Sequence, residues 1–216
     1  ALLLQKKNKR LNRLILFTMK KLAIIITILF TIVSDDLFSQ DKQEQTKTQI
    51  KPALLIIDIQ NVYLGMVPER EKAVAMYYIN GLIELFHSNG YPIIRIYHHD
   101  TASGPKPGTE LFEYPSSVLI KDEDAKVIKT YPNGFNKTDL DKIIREKGSN
   151  TLFLCGLSAV GCVLATWVGA QDHDYKAFMV KDAIMSHDSG YTDNVEEMFN
   201  AVGYDVVELI LENSGK

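Results

Sequence analysis

The 216-residue chain is 46% hydrophobic and 24% charged with a formal net charge of −3, proportions that suit one globular domain with an appendage and a core large enough to need no disulfide or metal staples. The first 39 residues hold seven Lys/Arg against two acids, so residues 40–216 carry about −8. An acidic body without a basic stripe argues against nucleic-acid binding and against electrostatic attachment to anionic membranes. Two cysteines, Cys155 and Cys162, are too few for a disulfide framework, and no Cys/His spacing suits a structural zinc.

In chain order, Met19-Lys20-Lys21 precedes an uncharged apolar run from Leu22 to Ser34, then Asp35-Asp36 and polar sequence. A basic start, a short apolar run and a small residue at Ser39 predict a secretory signal peptide over 19–39, and hence a periplasmic or extracellular protein. The run is shorter than the ~20 residues of a spanning helix. The alternative is an uncleaved anchor, and membrane contact is expected only through this segment. Residues 1–18 are read as an upstream extension, 40–51 as a linker and 52–216 as the folded domain.

Within that domain, Ala53–Ile57 is a continuous apolar run ending at Asp58, the pattern of a strand buried on both faces. Helical spacing follows from Glu69 to Asn89, stopped by Asn89-Gly90. Pro92–Tyr97 predicts a second strand, 98–117 a loop rich in Gly and Pro, and Val127–Lys129 a short strand. A helix is expected over Thr138–Lys147, capped by Thr138 or Asn136 and closed by Gly148. Thr151–Cys155 reads as a strand, Val160–Asp172 as a helix, Ala177–Val180 as a strand, Thr192–Val202 as a helix and Asp205–Leu211 as a last strand. This alternation predicts an α/β fold, a three-layer αβα sandwich of Rossmann-like type with a mostly parallel six-stranded sheet. In such sheets the active site gathers at the carboxyl ends of the strands.

Three reactive side chains fall there: Asp58, Lys129, and Cys162 at the start of the helix after Thr151–Cys155. A thiol attacks as thiolate, and a helix amino terminus with a nearby ammonium lowers its pKa. A carboxylate can take the thiol proton and pass it to a leaving amine. The lysine can hold that carboxylate or stabilise developing negative charge. The loop Gly156–Gly161 has a glycine at each end, which could let backbone N–H groups turn toward an oxyanion. Read singly, each residue has a plainer role: Asp58 as a helix cap, Lys129 as a solvated strand end, Cys162 as a small core residue.

Four segments change that balance. They are Ala53-Leu54-Leu55-Ile56-Ile57-Asp58-Ile59-Gln60-Asn61, then Val127-Ile128-Lys129 with Gly134-Phe135 and Thr138-Asp139-Leu140, then Leu154-Cys155-Gly156-Leu157-Ser158-Ala159-Val160-Gly161-Cys162-Val163, and Val180-Lys181-Asp182-Ala183. In this order they resemble the isochorismatase-like cysteine hydrolase superfamily over about residues 52–211. The resemblance implies a triad of Cys162, Asp58 and Lys129, and an oxyanion hole from the backbone N–H groups of Ser158 and Cys162. It also implies a cis peptide between Leu157 and Ser158, with Phe135 and Gln60 near the substrate and Cys155 a buried strand residue. The implied reaction is hydrolysis of a C–N bond in a small amide, carbamoyl or imide substrate. No cofactor is implied, and family members are commonly homo-oligomers.

Metal-dependent nicotinamidases of that superfamily carry Asp-aromatic-His-Pro after the second strand, where this chain reads Tyr97-His98-His99-Asp100. Adjacent strand residues point opposite ways, so no shared metal is expected from His98 and His99. Neither a GxGxxG nor a GxxxxGK[ST] motif occurs, and nucleotide binding lacks support. His173 and His187 are expected at the surface or in loops. The competing functions are a non-catalytic exported binding protein with the same fold and a flavodoxin-like cofactor binder.

Overall fold

The computed structural model describes residues 49–214 together with Lys21. Apart from Lys21, the expected signal peptide lies outside the described residues, as do residues 40–48 of the expected linker. The linker's last residues are held: Asn150 accepts from the Lys51 N–H at 2.9 Å and donates to the Gln49 carbonyl at 2.8 Å. Among the described residues no helix is long and apolar enough to cross a membrane.

Five strands form the sheet: β1 (Pro52–Ile57), β2 (Ile93–His98), β3 (Ala125–Lys129), β4 (Thr151–Leu157) and β5 (Lys176–Met185). Their order is β3-β2-β1-β4-β5, every neighbouring pair parallel. Every residue of β1 and β4 is buried, as their unbroken apolar runs require of strands covered on both faces. Alternate side chains serve opposite layers. Leu54 and Ile56 join a core with Ile79, Leu82 and Phe86 of α2 (Glu69–Ser88) and Val207 of α6 (Tyr204–Asn213). Leu55 and Ile57 face the other way, with Leu140 and Ile144 of α3 (Leu140–Glu146) and Ala170 of α4 (Leu164–Asp172). The short α1 (Asn61–Leu64) follows β1, and α5 (Ser189–Met198) follows β5.

The expected sixth strand is absent from this sheet. Asp205–Leu211 lies within α6, where Val207 and Leu211 are the buried residues. They are four apart, a helical repeat, and the β-branched Val206-Val207 pair misled the sequence reading because tertiary burial overrides local propensity. The strand expected over Ala177–Val180 is longer, running on to Met185 past a register shift opposite Leu154/Gly156.

The chain runs β1 to β2 to β3 on one side, then crosses to β4 on the other side of β1. The carboxyl ends of β1 and β4 are therefore the switch point, where a crevice opens in folds of this kind. Gly156 permits their close approach. Its φ is +117°, and a Cβ there would run into the backbone carbonyl of Ile57. Gly156→Ala is expected to destabilise the domain by more than ~3 kcal/mol, combining a forbidden φ with a backbone clash. Urea denaturation checks this, and a loss below ~1 kcal/mol would contradict the geometry.

Candidate active site

Asp58 leaves β1 with φ +53°, its N–H donating to the Ile96 carbonyl at 2.9 Å. That turn sends its carboxylate into the crevice, where it is 3% exposed. Lys129 ends β3, two strands away, and its buried stem brings Nζ to 2.7 Å from Asp58 Oδ2 and 3.2 Å from His98 Nδ1. The other carboxylate oxygen, Oδ1, is buried with no hydrogen-bond partner among the described residues. Burial raises the Asp58 pKa above the ordinary carboxylate value, although Lys129 pulls the other way.

Cys162 lies in a π-helical turn, Ala159–Val163, ahead of α4. Gly161 departs from helical backbone there (φ −117°, ψ −108°) immediately before the cysteine. Its Sγ, a carboxylate oxygen of Asp58 and an imidazole nitrogen of His98 all lie within 4.8 Å of one another. The thiol's electrostatics correct the sequence expectation. Burial, reinforced by the Asp58 charge and only partly offset by Lys129, pushes the Cys162 pKa up to about 12. The resting sulfur is a thiol, and it needs a base at the moment of attack. Cys155 is fully buried in β4, its Sγ 3.6 Å from the Leu55 carbonyl, and burial raises its pKa further still. Neither cysteine is in a disulfide.

These groups open on a cavity of about 210 Å³. Asp58, Cys162, Ser158 and His98 supply its polar wall, while Tyr63, Met66, Val67 and Leu157 supply the apolar one, with His187 at the rim. The Leu157–Ser158 peptide is cis. Ser158 Oγ lies 3.1 Å from Ser186 Oγ, the Ser186 N–H donates to Glu71 Oε1 at 2.9 Å, and Thr192 donates to that same oxygen. The wall beside the sulfur is thereby tied to α2 and α5.

Two expected substrate contacts are placed elsewhere. Gln60 is fully buried, and both ends of its amide are spent on the His98 backbone, accepting its N–H at 2.7 Å and donating to its carbonyl at 3.0 Å. It holds the end of β2 and does not line the cavity. Phe135 is buried beneath His173, ring centroids 4.6 Å apart, and belongs to the core under α3 and α4. Six lining residues are not among the expected site residues: Tyr63, Met66, Val67, His98, Leu157 and His187. His98 faces the sulfur, while His99 turns away to stand edge-on to Phe112. His187 follows β5 and would have been found by the strand-end rule had that strand been drawn to its full length. Tyr63 sits in α1 with no motif to mark it.

Asp58, His98 and Cys162 are also the one group among the described residues with spacing suited to a metal ion. The Lys129 ammonium, in contact with both the carboxylate and the imidazole, places a competing positive charge against any cation there.

The Isochorismatase domain family model matches residues 52–209. The chain belongs to the isochorismatase family. Its relatives include the isochorismatase family protein YddQ of Bacillus subtilis, 32% identical over 136 residues that make up 61% of this chain and 76% of that protein. The secreted isochorismatase effector Isc1 of Verticillium dahliae is 28% identical, covering 62% of this chain and 73% of the effector. Among solved structures, the N-carbamoylsarcosine amidase of Thermoplasma acidophilum shares the fold with a TM-score of 0.61 at 24% identity, over 71% of this chain and 95% of that one.

In this isochorismatase-family domain the Asp58–Lys129 pair has a structural cost that can be measured. Lys129→Met strands a buried carboxylate, a change worth ~3–5 kcal/mol. The folded pKa of Asp58 already exceeds its unfolded value, and losing the ammonium raises it further. Such a group's contribution is fully present below the unfolded pKa and is lost as pH rises through the folded one. The stability gap between variant and wild type should therefore be small near pH 4 and widen toward pH 8. Thermal denaturation at both values tests this, and a constant gap would contradict the buried-pair account.

Proposed function

We propose that this protein is an exported cysteine hydrolase that cleaves the C–N bond of a small amide, carbamoyl or imide substrate through a thioester on Cys162. One observation carries the reading: a buried carboxylate, locked on one oxygen by Lys129 and, among the described residues, without a hydrogen-bond partner on the other, stands within 4.8 Å of a thiol in a small crevice. A free carboxylate oxygen beside a protonated sulfur is a general base awaiting its proton.

In the reaction, Cys162 Sγ attacks the amide carbon as Asp58 removes the thiol proton. The carbonyl π electrons move to oxygen, and the backbone N–H groups of Ser158 and Cys162 are the donors proposed to receive that oxyanion. Asp58 then returns the proton to nitrogen, the C–N bond breaks, and the amine departs. Water attacks the thioester, giving its proton to Asp58, and the thiol leaves with that proton restored. Lys129 keeps Asp58 oriented and ionised between steps. A non-catalytic binding protein would need neither the buried pair nor the thiol.

Export is supported by the basic and apolar pattern of residues 19–39 and by the word "secreted" in the name of the relative Isc1. The function is tested by incubating the protein with a panel of small amides and carbamoyl compounds, measuring released ammonia or amine and the mass of the Cys162 peptide after acid quench. Product release with an acyl adduct on Cys162 is expected. Turnover with no adduct, or an adduct on Cys155, would overturn the covalent reading.

A further inference from the structure

The crevice also carries information about the charge of what it binds. Among the described residues its lining includes no Lys or Arg side chain. The nearest cation, Lys129, is 1% exposed and already shared between Asp58 and His98. Because its ammonium donates toward His98 Nδ1, the imidazole's own proton sits on Nε2, leaving a neutral ring. Burial and the Lys129 charge lower the His98 pKa, which keeps the ring neutral. His187 is exposed at the rim beside Tyr191, where water screens any charge it carries.

At the sulfur the Asp58 charge outweighs the opposing pull of the buried Lys129, and Asp100 is close enough to act on His98. A carboxylate on a ligand would enter this space beside a like charge and with no cation to pair with it, a heavily disfavoured burial. The opposite wall, Tyr63, Met66, Val67 and Leu157, offers mainly hydrocarbon. Its volume of about 210 Å³ falls below the ~300–1,000 Å³ of pockets that hold drug-sized ligands.

We propose that the crevice takes an uncharged amide with a compact apolar acyl group and turns away substrates that carry a carboxylate. The assignment rests on the hydrolase reading for its chemistry, but its charge argument stands on the lining alone. Iodoacetamide and iodoacetate separate the two, since both alkylate thiolates and differ in size hardly at all, but only iodoacetate is charged. With rates normalised to those of free cysteine, iodoacetate should modify Cys162 at least ~100-fold more slowly than iodoacetamide. 3-Methylbutanamide should protect Cys162 from iodoacetamide, and succinamate should not. Equal normalised rates, or protection by succinamate as good as by the neutral amide, would overturn the substrate class while leaving C–N hydrolysis by Cys162 intact. Selective alkylation with no amine released from any amide would instead sink the hydrolase reading and leave the neutral-ligand assignment standing.

Discussion

Replacing Cys162 by Ala is expected to lower kcat by about ten-thousand-fold or more, with the domain still folded. The sulfur is the nucleophile of the proposed reaction, and the residual rate would come from polarisation and positioning by the groups that remain. The side chain is half-buried in a turn and makes no disulfide, so its truncation should cost less than ~1.5 kcal/mol of stability. Ammonia release and thermal denaturation on the same preparation separate chemistry from folding. Cys155→Ala is the internal control. That residue is fully buried with its sulfur against the Leu55 carbonyl, so its loss should be felt in stability and not in turnover. A Cys162→Ala protein retaining more than ~1% of wild-type kcat would show that the reaction proceeds by another route.

Asp58→Asn should separate two properties that usually move together. Turnover is expected to fall by about a thousand-fold or more, because an amide cannot accept the thiol proton or return it to the amine. Alkylation of Cys162 draws on the small pre-formed thiolate fraction, without proton transfer to Asp58, and should nevertheless become faster. The Asp58 charge is one of the causes holding the thiol near 12, and Lys129 opposes it. Exchanging the carboxylate for a neutral amide leaves the ammonium's pull on the sulfur uncancelled, so the thiolate fraction near neutral pH rises. In the wild type the alkylation rate should climb about tenfold per pH unit between pH 7 and 10, while the variant's profile shifts to lower pH. If the variant were alkylated more slowly than the wild type, the carboxylate would be assisting the resting thiol, and the electrostatic picture here would be reversed.

The residues that carry chemistry were legible because their neighbours are hydrophobic and their positions topological. An unbroken run such as Ala53–Ile57 has to be a buried strand, so the aspartate after it has to emerge at a sheet end. The same reasoning placed Lys129 and the loop before Cys162. What escaped depends on side chains crossing between elements. Gln60 follows Asp58 by two residues and is implied by the family resemblance as a substrate neighbour, but the end of β2 claims both halves of its amide. Phe135 was drawn into the core by His173 and Tyr175. Local spacing could not report either partner. The thiol's state was misjudged for a related reason: a helix terminus and a lysine are visible in sequence, whereas the dry surroundings that outweigh them emerge only when the chain is folded. The last expected strand failed because Val206-Val207 favours extended backbone locally, while the four-residue interval from Val207 to Leu211 belongs to a helix.

The central pair of strands joins Ile56 to Cys155, partners separated by most of the domain's length. A ribosome delivers the first of them, and its neighbours on one flank, long before the second emerges. Until then a wholly apolar strand offers an open row of amides and carbonyls on its other edge. A nascent chain in that condition invites chaperones and cannot close its crevice prematurely. Under the export proposed above, such delayed closure would suit passage through a translocon.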